Sequence, residues 1–191
     1  PGNNGGDGLA IARLMAAKGR AVSCFLFNIR GKLSENCQIN RDRLDSAVRF
    51  QEITSSFVLP ELGADAVVID ALFGIGLSRP LEGGFASLVR SLNATGCTIV
   101  SIDTPSGLMC EVNDARQMVN MVHANLTLTM HRPKLAQLFA ENEPMVGELV
   151  VLDIGIMEEA DEDVKSQCYV TEESDIRAML RRRSRFAHKG S

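Results

Sequence analysis

The sequence contains no tryptophan, a single tyrosine and no continuous apolar run of membrane-spanning length. A transmembrane helix, which needs about 20 consecutive apolar residues, is excluded on that ground. The five cysteines, Cys24, Cys37, Cys97, Cys110 and Cys168, are odd in number and unevenly placed, and none forms a C-x-x-C pair. That spacing speaks against a disulfide framework or a thiolate zinc site, so reduced, mostly buried thiols in a reducing compartment, cytoplasmic or organellar, are expected. Positive charge is not in excess either. With 20 basic and 24 acidic side chains the formal net charge is −4, which disfavours a general binder of nucleic acid or of anionic membranes. Neither an initiator methionine nor a basic and apolar leader precedes Pro1, so the sequence reads as one that begins inside a longer protein.

What is present is the composition of an ordinary globular protein: 191 residues, 45% hydrophobic and 23% charged. Leu9, Ile11, Ala12, Leu14, Met15 and Ala16 recur at helical spacing before Gly19. Ala21–Phe27 then predicts a buried strand, and the polar stretch from Ser34 to about Phe50 predicts an exposed helix. Ala66–Phe73 is almost continuously apolar, the pattern of a strand covered on both faces. A helix is expected over Gly83–Asn93, and further strands over Thr98–Asp103, Ala124–Met130 and Glu148–Ile154. Strands alternating with helices predict an α/β fold with a parallel sheet. Charge thickens beyond Glu158, so a domain over residues 1–157 followed by a linker region over 158–191 is expected.

Three segments carry chemistry. The first is Gly2-Asn3-Asn4-Gly5-Gly6-Asp7-Gly8, which reads as a loop feeding a helix N-terminus, where free N–H groups favour an anion such as phosphate. It is neither a Rossmann nor a Walker glycine loop. The second is Asp70 in an otherwise apolar strand, followed by Gly74-Ile75-Gly76-Leu77-Ser78-Arg79-Pro80. The third is Asp103-Thr104-Pro105-Ser106-Gly107, again a carboxylate at the end of an apolar strand. All three lie where open α/β sheets place their ligands, and they are expected to converge. His123 and His131 invite a triad with Ser106, but no G-x-S-x-G elbow surrounds that serine, and two histidines make a poor zinc site.

The segments G-N-N-G-G-D-G, D-A-L-F-G-I-G-L-S-R-P-L-E-G and S-I-D-T-P-S-G-L, in that order, resemble the NAD(P)H-hydrate epimerase family, the YjeF N-terminal domain. A-N-L-T-L-T-M-H-R-P-K and V-G-E-L-V-V-L-D-I-G-I are similar to that family's closing strands, so the likeness runs from Pro1 to about Ile156. The resemblance implies a Rossmann-like three-layer α/β/α sandwich with a mostly parallel central sheet. It also implies that a helical segment and a first strand are missing ahead of Pro1. The implied activity is interconversion of the R and S epimers of NADHX and NADPHX, nicotinamide dinucleotides to which water has added. Asn3, Asn4, Gly5, Gly6 and Asp7, with Gly74 to Pro80 and Asp103, would bind that substrate. Asp103 would do acid/base work, and Asn4, Asp70 and Ser106 would give oxygen ligands to a potassium ion, a hard cation. Where the family continues past P-S-G-L with acidic residues, this sequence has Met109-Cys110-Glu111-Val112-Asn113, a departure beyond Ser106.

Cys168–Thr171 followed by Glu172–Arg183 reads as a short strand and a helix, and Phe186–Ser191 resembles the entry to an ADP-dependent NAD(P)H-hydrate dehydratase domain. The implied parent is a bifunctional repair enzyme, isomerase and lyase in one polypeptide, forming a homo-oligomer without nucleic-acid or membrane partners. The competing expectation is a non-catalytic interaction and dimerisation module built on the same domain.

Overall fold

The computed structural model describes residues 1–63, 65–111, 113–156 and 168–180. The chain divides into two units, Pro1–Gly155 and Ile156–Ser191. Among the described residues the first holds six strands and four α-helices, in chain order α1 (Asn3–Ala17), β1 (Val22–Phe27), α2 (Glu35–Asp42), β2 (Val48–Ile53), β3 (Val67–Asp70), α3 (Gly83–Asn93), β4 (Thr98–Ile102), β5 (Leu126–Met130), α4 (Glu143–Val146) and β6 (Glu148–Leu152). Short 3₁₀ helices lie between β4 and β5 and between β5 and α4. Every strand pair is parallel.

The sheet comes in two separately hydrogen-bonded parts, β1-β2 and β3-β4-β5-β6. In this arrangement β3 pairs only with β4. Its apolar run predicts a strand covered on both faces, yet Val67 and Ile69, two residues apart and so on the same face, are 58% and 39% exposed: among the described residues that face is left uncovered. Helix α1 packs on β1 and β2 and also reaches β4. Leu9 of α1, Leu26 of β1 and Cys37 of α2 form one core cluster. A second lies between α3 and β4, where Ala86, Val89 and Leu92, one helical turn apart, meet Ile99. The third gathers Leu108, Met121, Ala136, Met145 and Val146 beneath the loops after β4 and β5.

Two further expectations fail in the first unit. The long polar helix ends at Asp42, and Val48–Ile53 is a strand whose buried Val48 and Ile53 bracket an alternation of exposed and half-buried residues. That period of two was overlooked in a stretch of low apolar content. The glycine-rich segment is not a loop but the first two turns of α1, which begins at Asn3. Close packing explains its glycines: a Cβ on Gly6 would lie 3.2 Å from the Cys37 backbone, and one on Gly8 would lie 2.7 Å from the Ala71 Cβ. Of the cysteines only Cys37 is fully buried; Cys24, Cys97 and Cys110 are partly so, and Cys168 is exposed.

In the second unit, Glu173–Met179 forms a short helix, α5, with no buried residue. Cys168–Thr171 is not a strand: it has no ladder partner among the described residues. The Arg181–Arg185 run and Phe186–Ser191 lie outside the described residues.

Candidate active site at the carboxyl ends of the parallel strands

Asp70 closes β3 and is fully buried. Its Oδ2 accepts from the Ser101 hydroxyl and the Ser106 N–H, both at 2.8 Å. Its Oδ1 accepts from the Ser106 hydroxyl at 2.6 Å and more loosely from the Leu72 N–H at 3.3 Å. The ends of β3 and β4 and the turn at Ser106 are thereby tied through one carboxylate. Burial pushes the Asp70 carboxyl above its ordinary value of 3.8, and the donors from Ser106 and Ser101 oppose that push. Ser106 is fully buried and its hydroxyl also accepts from the Phe73 N–H at 3.0 Å, whereas His123 is exposed. Its bonding to Asp70 and Phe73 is that of a structural brace, not of a nucleophile.

Asp103 follows β4 in the left-handed backbone region, with φ 68°. Aspartate tolerates that region better than most residues, but a strained residue at a strand end is a pointer to function. Four groups fix it. Its N–H donates to the Leu128 carbonyl at 2.8 Å, and its own carbonyl accepts from Gln137 Nε2 at 2.8 Å. Its Oδ1 receives Lys134 Nζ at 2.5 Å, and its Oδ2 accepts weakly from the Ile75 N–H at 3.3 Å. Pro105 and Gly107 complete the turn, and Gly107 has φ 104° with the Asn120 carbonyl directly where a Cβ would sit.

The three segments converge, as expected from their places in the sequence. A Cβ on Gly74 would lie 3.1 Å from both Asp103 Oδ2 and Asn4 Cγ. Asn4 therefore stands across Gly74 from Asp103, and neither Nδ2 nor Oδ1 of its buried amide has a partner among the described residues. Asp7, one turn further along α1, has its carboxyl raised by burial and then by the negative charge of Asp103. With Gly2 as N-cap and no capping side chain, the N–H groups of Asn3, Asn4 and Gly5 head the helix without helical acceptors. The Gly74–Pro80 loop is anchored by half-buried Phe73 and Leu77, which pack on the α3 cluster. It leaves Ile75 65% exposed, and Gly76, Ser78 and Arg79 exposed as well. Arg79 makes no ion pair among the described residues.

Lys134, Gln137 and Thr129 were not singled out from the sequence. A lysine four positions after the end of β5, in M-H-R-P-K, was the available signal. The departure beyond Ser106 is closed by Asn113, whose amide accepts from the Met109 N–H and donates to the Met109 carbonyl, both at 2.8 Å. Among the described residues no group of three or more His, Cys, Asp or Glu could hold a metal ion, and no helix is long and apolar enough to cross a membrane.

An all-parallel α/β domain whose polar residues meet at the carboxyl ends of β3 and β4 and the head of α1 is a small-ligand domain of the Rossmann-like class. The sequence matches the family described as YjeF-related protein N-terminus over residues 1–136, and the chain belongs to that family. It is 37% identical over 157 residues to the NAD(P)H-hydrate epimerase of Lentilactobacillus buchneri, which covers 81% of this chain and 69% of that protein. Two relatives named bifunctional NAD(P)H-hydrate repair enzyme Nnr are similar as well. The one from Thermofilum pendens is 38% identical over 79% of this chain, and the one from Dictyoglomus turgidum 31% identical over all of it. The chain spans 29% and 37% of their lengths. A crystal structure of the yeast protein ynu0 superposes with a TM-score of 0.56 at 24% identity, covering 71% of this chain and 57% of that one, which shows the shared fold.

Proposed function

We propose that this chain is the epimerase part of an NAD(P)H-hydrate repair enzyme, interconverting the R and S forms of NADHX and NADPHX. The observation that carries the reading is the meeting of Asn4, Gly74 and Asp103 at one point, with Asn4 in the first turn of α1. Family membership and the names of its relatives support the reaction class. In this reading the free N–H groups of Asn3 to Gly5, with Gly6 and Asp7, take the pyrophosphate side of the dinucleotide. Arg79 pairs with a phosphate. The loop from Gly74 through Ile75, Gly76, Leu77 and Ser78 to Pro80 covers the ring, with Ile75 as its apolar surface.

The reacting carbon carries a hydroxyl next to the ring nitrogen. Inverting it means breaking and remaking the C–O bond, or opening and closing the ring, and either route moves one proton. Loss of the hydroxyl as water consumes a proton, and re-addition of water from the opposite ring face returns it. One carboxyl group that gives a proton and takes it back therefore completes the cycle. Asp103 Oδ2, at the Gly74–Ile75 loop, is that group, and general acid–base catalysis of this kind contributes about 10²- to 10⁴-fold. No hydride moves, so no redox cofactor is required.

The donor set fits a potassium ion. Asn4 Oδ1 is a buried oxygen without a partner. Among the described residues the buried Asp70 carboxyl meets only neutral hydrogen-bond donors, so a cation beside it would favour its ionised form against the push of burial. The Ser106 hydroxyl, accepting only from the Phe73 N–H, keeps a lone pair. Asn4, Asp70 and Ser106 would hold the ion, which supplies charge compensation and order to the surrounding loops. A dehydratase domain in the same polypeptide, a homo-oligomer and a cytoplasmic setting belong to the same proposal, the first supported by the bifunctional relatives.

The test is direct. Pure (R)-NADHX is incubated with the protein in potassium buffer and both epimers are followed by chromatography. Appearance of the S form faster than without protein is expected; dinucleotide binding without turnover would instead favour the interaction module.

A further inference from the structure

We propose that Lys134 is the positioning residue of Asp103: a fixed ammonium that holds one carboxylate oxygen so that the other is presented to the substrate. The inference rests on the epimerase reading and deepens it. An ammonium group has three protons to donate. Those of Lys134 reach Asp103 Oδ1 at 2.5 Å, the Thr129 hydroxyl at 2.9 Å and the Met130 carbonyl at 3.2 Å. All three are committed within the protein, so Lys134 has none directed at a substrate, and its role runs through Asp103.

The lysine is itself held. Thr129 is fully buried in β5, and the side chains of Lys134 and Asp103 are only 15% and 12% exposed. The amide of Gln137, also buried, accepts from the Lys134 N–H at 2.9 Å and donates to the Asp103 carbonyl at 2.8 Å. One side chain thus fixes both backbones of the pair, and this clamp over-determines the left-handed conformation of Asp103. The two carboxylate oxygens are consequently unlike. Oδ1 is occupied by the ammonium, whereas among the described residues Oδ2 has only the long contact to the Ile75 N–H, next to Gly74 on the loop that packs against Asn4. A buried ion pair is weak evidence for stability. Its placement on a strained residue at the convergence point is what a positioning role requires.

The experiment compares wild type, Lys134→Met, which keeps the stem and removes the charge, and Lys134→Ala, which opens room for a small amine. Both variants are expected to lose about 10²-fold in kcat with KM changed little, because a misplaced reacting group of this kind costs about that factor. Methylammonium or ethylammonium in the assay is expected to restore part of the kcat of Lys134→Ala and none of that of Lys134→Met. A merely structural lysine gives no such rescue, since a free amine does not rebuild a fold. Full kcat in Lys134→Met, or no response of Lys134→Ala to amines, overturns the proposal. If neither variant folds, Lys134→Arg against Lys134→Gln decides: higher kcat in the arginine variant is expected, and equality overturns it. A wild-type protein that leaves both epimers unchanged overturns the reaction itself, which separates the two failures.

Discussion

Gly74→Ala places a single methyl group at the point where the three segments meet. The added Cβ would stand 3.1 Å from Asp103 Oδ2, 3.1 Å from Asn4 Cγ and 3.2 Å from Asn4 Cβ, each a few tenths of an ångström inside ordinary contact. The Gly74 backbone does not occupy the left-handed region, so no conformational strain accompanies the change. Only crowding does, and two side chains can yield, so the stability cost is expected at the low end for overpacking, about 1 kcal/mol. The cost to catalysis is larger. Moving Asn4 and Asp103 apart spoils the placement of the reacting oxygen, and an error approaching 1 Å costs about 10²-fold. Epimerisation rate and thermal midpoint are measured together against Gly84→Ala, in helix α3, where nothing lies within 4 Å of the new Cβ. That control is expected to keep full activity and to gain a few tenths to about 1 kcal/mol. A Gly74→Ala protein with wild-type rate would refute the claim that Asn4 and Asp103 act on one substrate across this glycine.

Asp103→Asn keeps a side chain tolerated in the left-handed region and removes the proton-carrying group, so turnover is expected to drop about 10²- to 10⁴-fold with nucleotide binding retained. Unchanged turnover by the chromatographic assay would take Asp103 out of the mechanism. Asp70→Ala strands the buried hydroxyls of Ser101 and Ser106 and the Ser106 N–H. A loss of about 3 kcal/mol or more is expected in denaturant unfolding, and a loss under about 1 kcal/mol would contradict the bracing role. Asp7 tests a pH dependence. Its carboxyl is raised above 3.8 by burial and by Asp103, so the folded state binds the proton more tightly than the unfolded chain. Stability from this group is therefore present below 3.8 and lost as pH rises through the folded value. Asp7→Asn is expected to gain thermal stability relative to wild type as pH rises from about 3 to 7. A difference in midpoint that does not change over that interval would show that burial and the charge of Asp103 do not raise the Asp7 carboxyl.

Strands β1, β3, β4, β5 and β6 and helix α3 were legible because their signals are local. Ala86, Val89 and Leu92 repeat at helical spacing between Gly83 and the glycine at position 96, and the structure keeps those bounds. Strand β2 was not legible: its alternation rests on Val48, Phe50 and Glu52, of which one is charged, and its ladder partner β1 is distant in sequence. The opening glycines point locally to a loop, since glycine disfavours helix by about 1 kcal/mol per residue. Contacts with Cys37 and Ala71, distant in sequence, reverse that preference, since only glycine lets α1 approach so closely.

By itself the sequence, poor in aromatics and without paired cysteines or a long apolar run, determined an α/β domain whose polar residues lie at strand ends. It also singled out Asn4, Asp70, Asp103 and Ser106, because carboxylates and amides in apolar surroundings are costly unless something uses them. Tertiary structure alone decided how they are used. Asp70 and Ser106 turn inward and brace β3 to β4, whereas Asp103 is held by Lys134, 31 residues later, with one oxygen toward Gly74. That division follows from β4 and β5 lying side by side in parallel, which brings the residues after both strands to the same end of the sheet.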